Sequence, residues 1–344
     1  MAGYIAEIAI GKHIGNGHFG DVHLATDPVH GQVAVKIIAK KNTDTPEKWA
    51  ADKAEFLTEA QNLASAAHPN IVPVYHLVQS PDGLSIQYCM KYCAGGSLQV
   101  AFDTGPSTLH MVRKVGTEVL LGLGALHARG MIHRDIKPAN ILLDETGVAR
   151  IGDFGLVTDK LIFGYADKAG YNDHLAYEVW HQGMTSTKTD IWAFGMTLYR
   201  LLHGDAWYKE SNLPRLEIKN GGFCQKLKWL PHIPQRWRRA IRSMMHDDPA
   251  SRSQSVGQVQ AAFSGLPTDP EWVCEINGPQ VNWARQQGSR TFRVEWNRTS
   301  QRKQSWRAWS EPTNGTGRNR ALGGSGGEVG SVQANNDLTE FFKG

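Results

Sequence analysis

Residues 133–140 read His133-Arg134-Asp135-Ile136-Lys137-Pro138-Ala139-Asn140, and 13 positions beyond Asn140 the chain continues Asp153-Phe154-Gly155. Read for structure alone, Asp135 is a solvated loop acid, Asn140 a turn residue and Asp153-Phe154-Gly155 a β-turn. Their order and spacing argue for chemistry instead. Transfer of a phosphoryl group needs a carboxylate to orient the incoming hydroxyl, oxygen ligands for Mg2+, and cations against the charge on the phosphoryl oxygens. Asp135 suits the first task, Asn140 with Asp153 the second, and Lys137 with a second lysine the third.

That second lysine is Lys36, in Val33-Ala34-Val35-Lys36. Upstream, Gly15-Asn16-Gly17-His18-Phe19-Gly20 matches GxGxxG, a weak signal by itself. A dinucleotide fold needs such a loop to open a helix, with an acid about 20 residues on. Here a β-type run, Asp21-Val22-His23-Leu24-Ala25-Thr26-Asp27, follows, and the residue 21 positions after Gly15 is Lys36. The pattern therefore predicts a glycine-rich hairpin closing over phosphates. Read blandly, Lys36 is an edge-strand surface lysine. Glu55 and Glu59 offer it a partner, because residues four apart share a helix face; either can pair with it, and Glu59 is the expected one.

Around these motifs the hydrophobic period changes along the chain. Short β-type runs occupy 8–38, an amphipathic helix is expected between Pro46 and Ala67, strands resume in His68–Val78 and Leu84–Cys93, and helical periodicity begins at Leu98. A small β-rich lobe thus precedes a larger helical one. Helical patterns continue through Asp190–Gly204 and Pro234–Pro249. Residues 268–320 then carry nine Lys/Arg, five Asp/Glu and five of the eleven tryptophans in strand-like alternation, and Gly, Asn, Ser and Thr dominate 312–335.

Over residues 8–265 the chain resembles the eukaryotic-like (Hanks-type) serine/threonine protein kinase family. The glycine-rich loop, the Val-Ala-Val-Lys segment, His133–Asn140, Asp153-Phe154-Gly155, Ala176-Tyr177-Glu178, Asp190 and Arg252 fall in family order. The resemblance implies an α+β, two-lobed protein kinase fold, with an N-lobe at 8–92 and a C-lobe at 93–265. It implies ATP and Mg2+ as cofactors, a hinge at Met90-Lys91-Tyr92-Cys93, and adenine sandwiched by Val22, Ala34 and Leu142. Nucleotide contacts from Ile14 and the loop 15–20, catalytic roles for Lys36, Glu59, Asp135 and Lys137, and metal ligation by Asn140 and Asp153 follow by the same likeness. Glu178 with Arg252, and Asp190, are implied to be structural. Lys137, two residues after Asp135, is similar to serine/threonine rather than tyrosine kinases. Tyr171 and Tyr177 depart from the pattern in the substrate-facing loop. Thr158 is the single Ser/Thr between Asp153 and Glu178, so Asp159 or Asp167 is expected to supply the anion facing Arg134. The groove positions Ser97, Ala139 and Arg200 carry no negative charge, so basic substrates are not expected to be preferred.

Composition limits the rest. The chain has 344 residues, 41% apolar and 20% charged, with a net charge of +4, which excludes wholesale disorder and argues for no nucleic-acid or membrane partner. Four scattered cysteines, no CxxC pair and no signal peptide point to a reducing, cytoplasmic setting. Expected partners are protein substrates and ATP. One alternative is a catalytically weak scaffold; another gives the Trp/Arg-rich tail a nucleic-acid role through 268–311. Ten Lys/Arg against eight Asp/Glu over 268–344 leave only +2, so the tail reads as a small accessory β-unit at 268–311 and a flexible end at 312–344.

Overall fold

Residues 8–17, 20–65, 67–153, 172–210 and 214–343 are described by the computed structural model. The first lobe is a five-stranded antiparallel sheet of β1 (Ala9–Gly17), β2 (Gly20–Asp27), β3 (Gly31–Ala39), β4 (Val74–Gln79) and β5 (Ser85–Lys91), in the order β1-β2-β3-β5-β4. The central strand β3 is buried over Val33–Lys36, as the β-branched run predicts. Helix α1 (Pro46–Ser65) sets Trp49, Phe56 and Ala60 against Ile38, Ile86 and Tyr88.

The second lobe begins with β6 (Gly96–Ser97), α2 (Leu98–Thr104) and α3 (Leu109–His127). In α3 the residues Leu109, Val112, Val115, Val119, Leu123 and Leu126 recur every three or four positions and are buried, the face a core-packed helix needs. Thr108 caps it, its side chain accepting from Met111 N. A 3-10 turn (Pro138–Asn140), β7 (Ile141–Leu143) and β8 (Ala149–Ile151) follow, and β6, β7 and β8 form a small sheet. Next come α4 (Tyr177–Gln182), α5 (Thr187–Lys209), α6 (Pro214–Asn220), α7 (Phe223–Lys226), α8 (Gln235–Met244) and α9 (Val256–Ser264). Helix α5 is the lobe's centre, with Ile191–Tyr199, Leu201 and Leu202 all buried.

A second five-stranded antiparallel sheet comprises β9 (Val273–Asn277), β10 (Gln280–Gln287), β11 (Arg290–Arg298), β12 (Gln304–Pro312) and β13 (Arg320–Gly324), in sequential order. Its inner face is Val281, Trp283, Val294, Trp296, Trp306 and Ala308, the period-2 alternation of a half-buried sheet. Four of the region's five tryptophans, at 272, 283, 296 and 306, are buried, which removes them as stacking platforms for bases. The flexible end expected at 312–344 differs from what is found. β13 completes the sheet, and α10 (Ser331–Phe341) buries Ala334 and Leu338 completely. Glycine content there serves packing rather than disorder, since a Cβ at Gly323 would stand 3.1 Å from the Trp306 ring. The sheet and the helical lobe share one hydrophobic core. Trp207 meets Trp296 with ring centroids 6.3 Å apart, and Arg298 forms a two-bond fork with Glu210 at 2.7 and 2.9 Å. Among the described residues no helix is long and apolar enough to cross a membrane.

Candidate active site

The segment His133–Asn140 is held from below by one buried carboxylate. Asp190, on α5 and fully inaccessible, accepts from His133 N (2.8 Å) and His127 Nε2 (2.8 Å) through Oδ2, and from Arg134 N (2.7 Å) through Oδ1. Arg134 has φ +69°, a left-handed conformation costing a non-glycine residue about 1–3 kcal/mol. Bonds to Asp190 from two successive amides hold that turn in place. The His133 ring then ties this turn to the next motif, its Nδ1 accepting from Asp135 N (3.2 Å) and its Nε2 donating to Gly152 O (3.1 Å). The Arg134 guanidinium reaches Thr185 Oγ1 at 3.1 Å.

Asp135 therefore projects from a rigid turn, and two neighbours converge on it. Lys137 Nζ donates to Oδ2 at 2.7 Å, and Asn140 Nδ2 donates to Oδ2 at 2.7 Å and to the Asp135 carbonyl at 2.9 Å. Both donor hydrogens of Asn140 are thereby used, which leaves its amide oxygen as the atom suited to a cation. Lys137 and Asn140 are buried.

Across the cleft, Lys36 on β3 is 7% exposed, and its ammonium forms an ion pair with Asp153. Asp153 follows β8 with φ +54°, a second left-handed non-glycine residue. Burial alone would raise its carboxyl pKa, but the adjacent Lys36 charge and hydrogen bond, with Lys137 and His133 beyond, hold it below the usual carboxylate range. Glu59, the partner expected for Lys36, lies on α1 with its side chain outside those described; the described partner is Asp153. Oxygen donors at Asn140 and Asp153 beside two lysines make a donor set that would suit Mg2+, an ion that prefers oxygen ligands.

Four of the residues expected to face the nucleotide share one face of the upper sheet. Val22 pairs with Lys36 across β2–β3, and Ala34 pairs with Met90 across β3–β5, so Val22, Ala34, Lys36 and Met90 point the same way. Gly15 and Gly20 flank the β1–β2 hairpin; a Cβ at Gly20 would lie 1.9 Å from Ile37 O, so glycine lets the hairpin lie against β3. Ile14 is exposed on β1, and Tyr92 and Leu142 are half-buried. Cys93 is turned into the lobe core and its thiol is pushed up to about 11 by burial, so at the hinge it offers main chain rather than sulfur. His18 and Phe19, the side chain of Asn16, and Phe154, Gly155, Thr158, Asp159, Tyr165, Asp167 and Tyr171 lie outside the described residues.

Two further groups bear on the site. Glu178 and Arg252 form a buried fork at 2.7 and 2.9 Å, as expected of a structural pair. Arg200, read as a charge lining the groove, stacks over Phe102 (4.0 Å) and Tyr208 (5.1 Å) and bonds His174 Nε2 at 2.8 Å. Its guanidinium is engaged by the lobe itself, because burial keeps His174 neutral and able to accept. His127 and Thr185 were not anticipated. His127 ends a helix of ordinary pattern, and nothing in its spacing signals the contact with Asp190.

The family model for the protein kinase domain matches residues 8–263. Cytokinesis protein sepH of Aspergillus terreus is 34% identical over 215 residues, covering 62% of this chain and 15% of that protein. Serine/threonine-protein kinase ssp1 of Schizosaccharomyces pombe is 28% identical, covering 72% of this chain and 41% of that protein. CBL-interacting protein kinase 10 of Oryza sativa subsp. japonica is 30% identical over 283 residues, 79% of this chain and 58% of that protein. The chain thus spans less than two thirds of the length of each of these relatives.

Proposed function

The chain belongs to the protein kinase family, and from that premise we infer that it transfers the γ-phosphoryl group of ATP to serine or threonine hydroxyls of protein substrates. The observation that carries this reading is the bonded set Lys36–Asp153 and Lys137–Asp135–Asn140, five side chains of the types phosphoryl transfer requires. Residues 8–92 and 93–265 act as the two lobes. ATP lies under the hairpin 15–20, with its adenine between Val22, Ala34 and Leu142 and its edge toward the backbone of Met90, Tyr92 and Cys93.

Each residue has a separable task. Asp135 accepts the hydrogen bond of the substrate hydroxyl and orients its oxygen for attack; Lys137, 2.7 Å away, adds positive charge where negative charge accumulates on the transferred group. Lys36 leaves part of its pairing with Asp153 to meet the α- and β-phosphates, and Glu59 anchors it from α1. Asn140 and Asp153 would hold Mg2+, which would supply positive charge against the phosphate oxygens. The serine/threonine assignment is supported by Lys137 and by relatives named as serine/threonine kinases. The four cysteines are all free and buried, which suits a cytoplasmic setting.

The test is label transfer from γ-labelled ATP to a generic protein acceptor, followed by phosphoamino-acid analysis. Phosphoserine or phosphothreonine is expected, with rates lowered by about 10³ or more in Lys36→Ala and in Asp153→Ala, the scale of losing a charge stabiliser in phosphoryl transfer. Either variant within tenfold of wild type would remove the assignment.

A further inference from the structure

β2, β4 and β5 bring three metal-binding side-chain types together on the sheet face opposite Lys36. His76 and Cys89 are register partners across β4–β5, and Asp27 ends β2. Ala34, Lys36 and Met90 point into the cleft, so Val35 and its partner Cys89, one residue along, point away from it. A carboxylate oxygen of Asp27, a ring nitrogen of His76 and Cys89 Sγ all lie within 4.8 Å of one another. His76 Nε2 stands 3.3 Å from Asp27 Oδ2.

This arrangement is prepared rather than incidental. Asp27 Oδ1 accepts from Val29 N and His30 N, both at 2.8 Å, so the β2–β3 turn fixes the carboxylate and leaves Oδ2 toward His76. The Asp27 side chain is 1% exposed and the His76 side chain 34%, while Cys89 is fully buried. Asp27 carries its charge out of water, and a buried charge is tolerated only where it is matched. A divalent ion bound to the carboxylate and a thiolate leaves a site with no net charge, which burial tolerates.

We propose that Asp27, His76 and Cys89 form a zinc-type metal site, with a water or an outside ligand completing the tetrahedron on the exposed side of His76. One sulfur, one imidazole and one carboxylate are the ligand classes zinc accepts, whereas thiolate ligation disfavours Mg2+ and Ca2+. Metal–sulfur and metal–nitrogen bonds of about 2.3 and 2.0 Å place tetrahedral ligand atoms roughly 3.5 Å apart, so closing the site takes small side-chain movements. Binding forms the metal–sulfur bond as the Cys89 proton leaves to solvent, with no change of oxidation state. Without metal, burial and the Asp27 charge push the Cys89 thiol up to about 11, so the proton is drawn off by the ion itself. The bound ion would clamp the β2–β3 turn to β4 and β5.

The site is tested by titrating the full chain, stripped with a chelator and free of ATP, with Co2+. One equivalent is expected to give a thiolate-to-cobalt charge-transfer absorption that Zn2+ abolishes. Asn140 and Asp153 offer no sulfur and cannot produce that signal. Cys89→Ser should remove the band, His76→Ala should weaken Co2+ binding at least tenfold, and Cys224→Ser should leave both unchanged. No thiolate band in the wild-type chain, a band surviving Cys89→Ser, or unaltered affinity in His76→Ala would each overturn the proposal.

Discussion

Arg134 and Asp153 both adopt left-handed backbone, and these two strained residues bracket the chemistry. The first is paid for by Asp190, whose carboxylate takes the amides of His133 and Arg134 and the His127 ring. Asp190→Ala removes all three acceptor contacts and strands buried N–H groups, each costing about 1–3 kcal/mol. A loss of about 3 kcal/mol or more in urea unfolding is expected, with phosphoryl transfer falling at least a hundredfold even where the variant remains folded. A variant with wild-type stability and rate would show that the turn holds itself. At this scale the sequence was most legible in its motif residues: Lys137 and Asn140 both bond Asp135, and Lys36 pairs with Asp153. The supports were less legible. His127 lies in the last turn of a helix, and its bond to Asp190 depends on how α3 crosses α5, which local spacing does not encode.

Among the elements, the last helix illustrates how composition misleads. Gly, Asn and Ser around 312–335 suggest a flexible end, yet α10 buries Ala334 and Leu338, and Phe342 just after it meets Trp272 and Trp283 with ring centroids 5.2 Å apart. Such a helix is specified by two or three apolar contacts with a distant sheet, so its own polarity says little. The amphipathic α1, whose apolar spacing is regular, was legible to within two residues at its end. Leu338→Ala should cost about 2–5 kcal/mol, as for other fully buried leucines. Circular dichroism melting would register this, and red-shifted tryptophan emission should follow deletion of residues 331–344. An unchanged melting temperature in Leu338→Ala would mean that α10 does not contribute to the core.

For the molecule as a whole, the helical lobe and the second sheet share one core, and two buried histidines couple that core to pH. His203 and His232 are pulled down to about 3 by burial, and His232 Nδ1 accepts from Trp283 Nε1 of the second sheet at 2.9 Å. Their folded pKa values lie below the unfolded value, so the unfolded chain binds the extra protons. The stability they contribute is complete above the ordinary histidine range near 6.5 and is lost as pH falls from there toward 3. By pH 5 each should have cost about 2 kcal/mol, visible as a lower urea midpoint at pH 5 than at pH 7.5, with a smaller difference in His232→Gln. Equal midpoints would contradict the buried neutral state. That coupling was not legible from the chain, because a histidine's partner across 51 residues is set by docking of the sheet. The reading of the molecule as a phosphotransferase rests on Asp135 acting in transfer while other residues hold ATP. The direct measurement compares wild type and Asp135→Asn for ATP affinity and for the rate of γ-phosphoryl transfer to protein. ATP affinity within a few fold, together with a rate lowered at least a thousandfold, is predicted; a rate within tenfold of wild type would contradict the account.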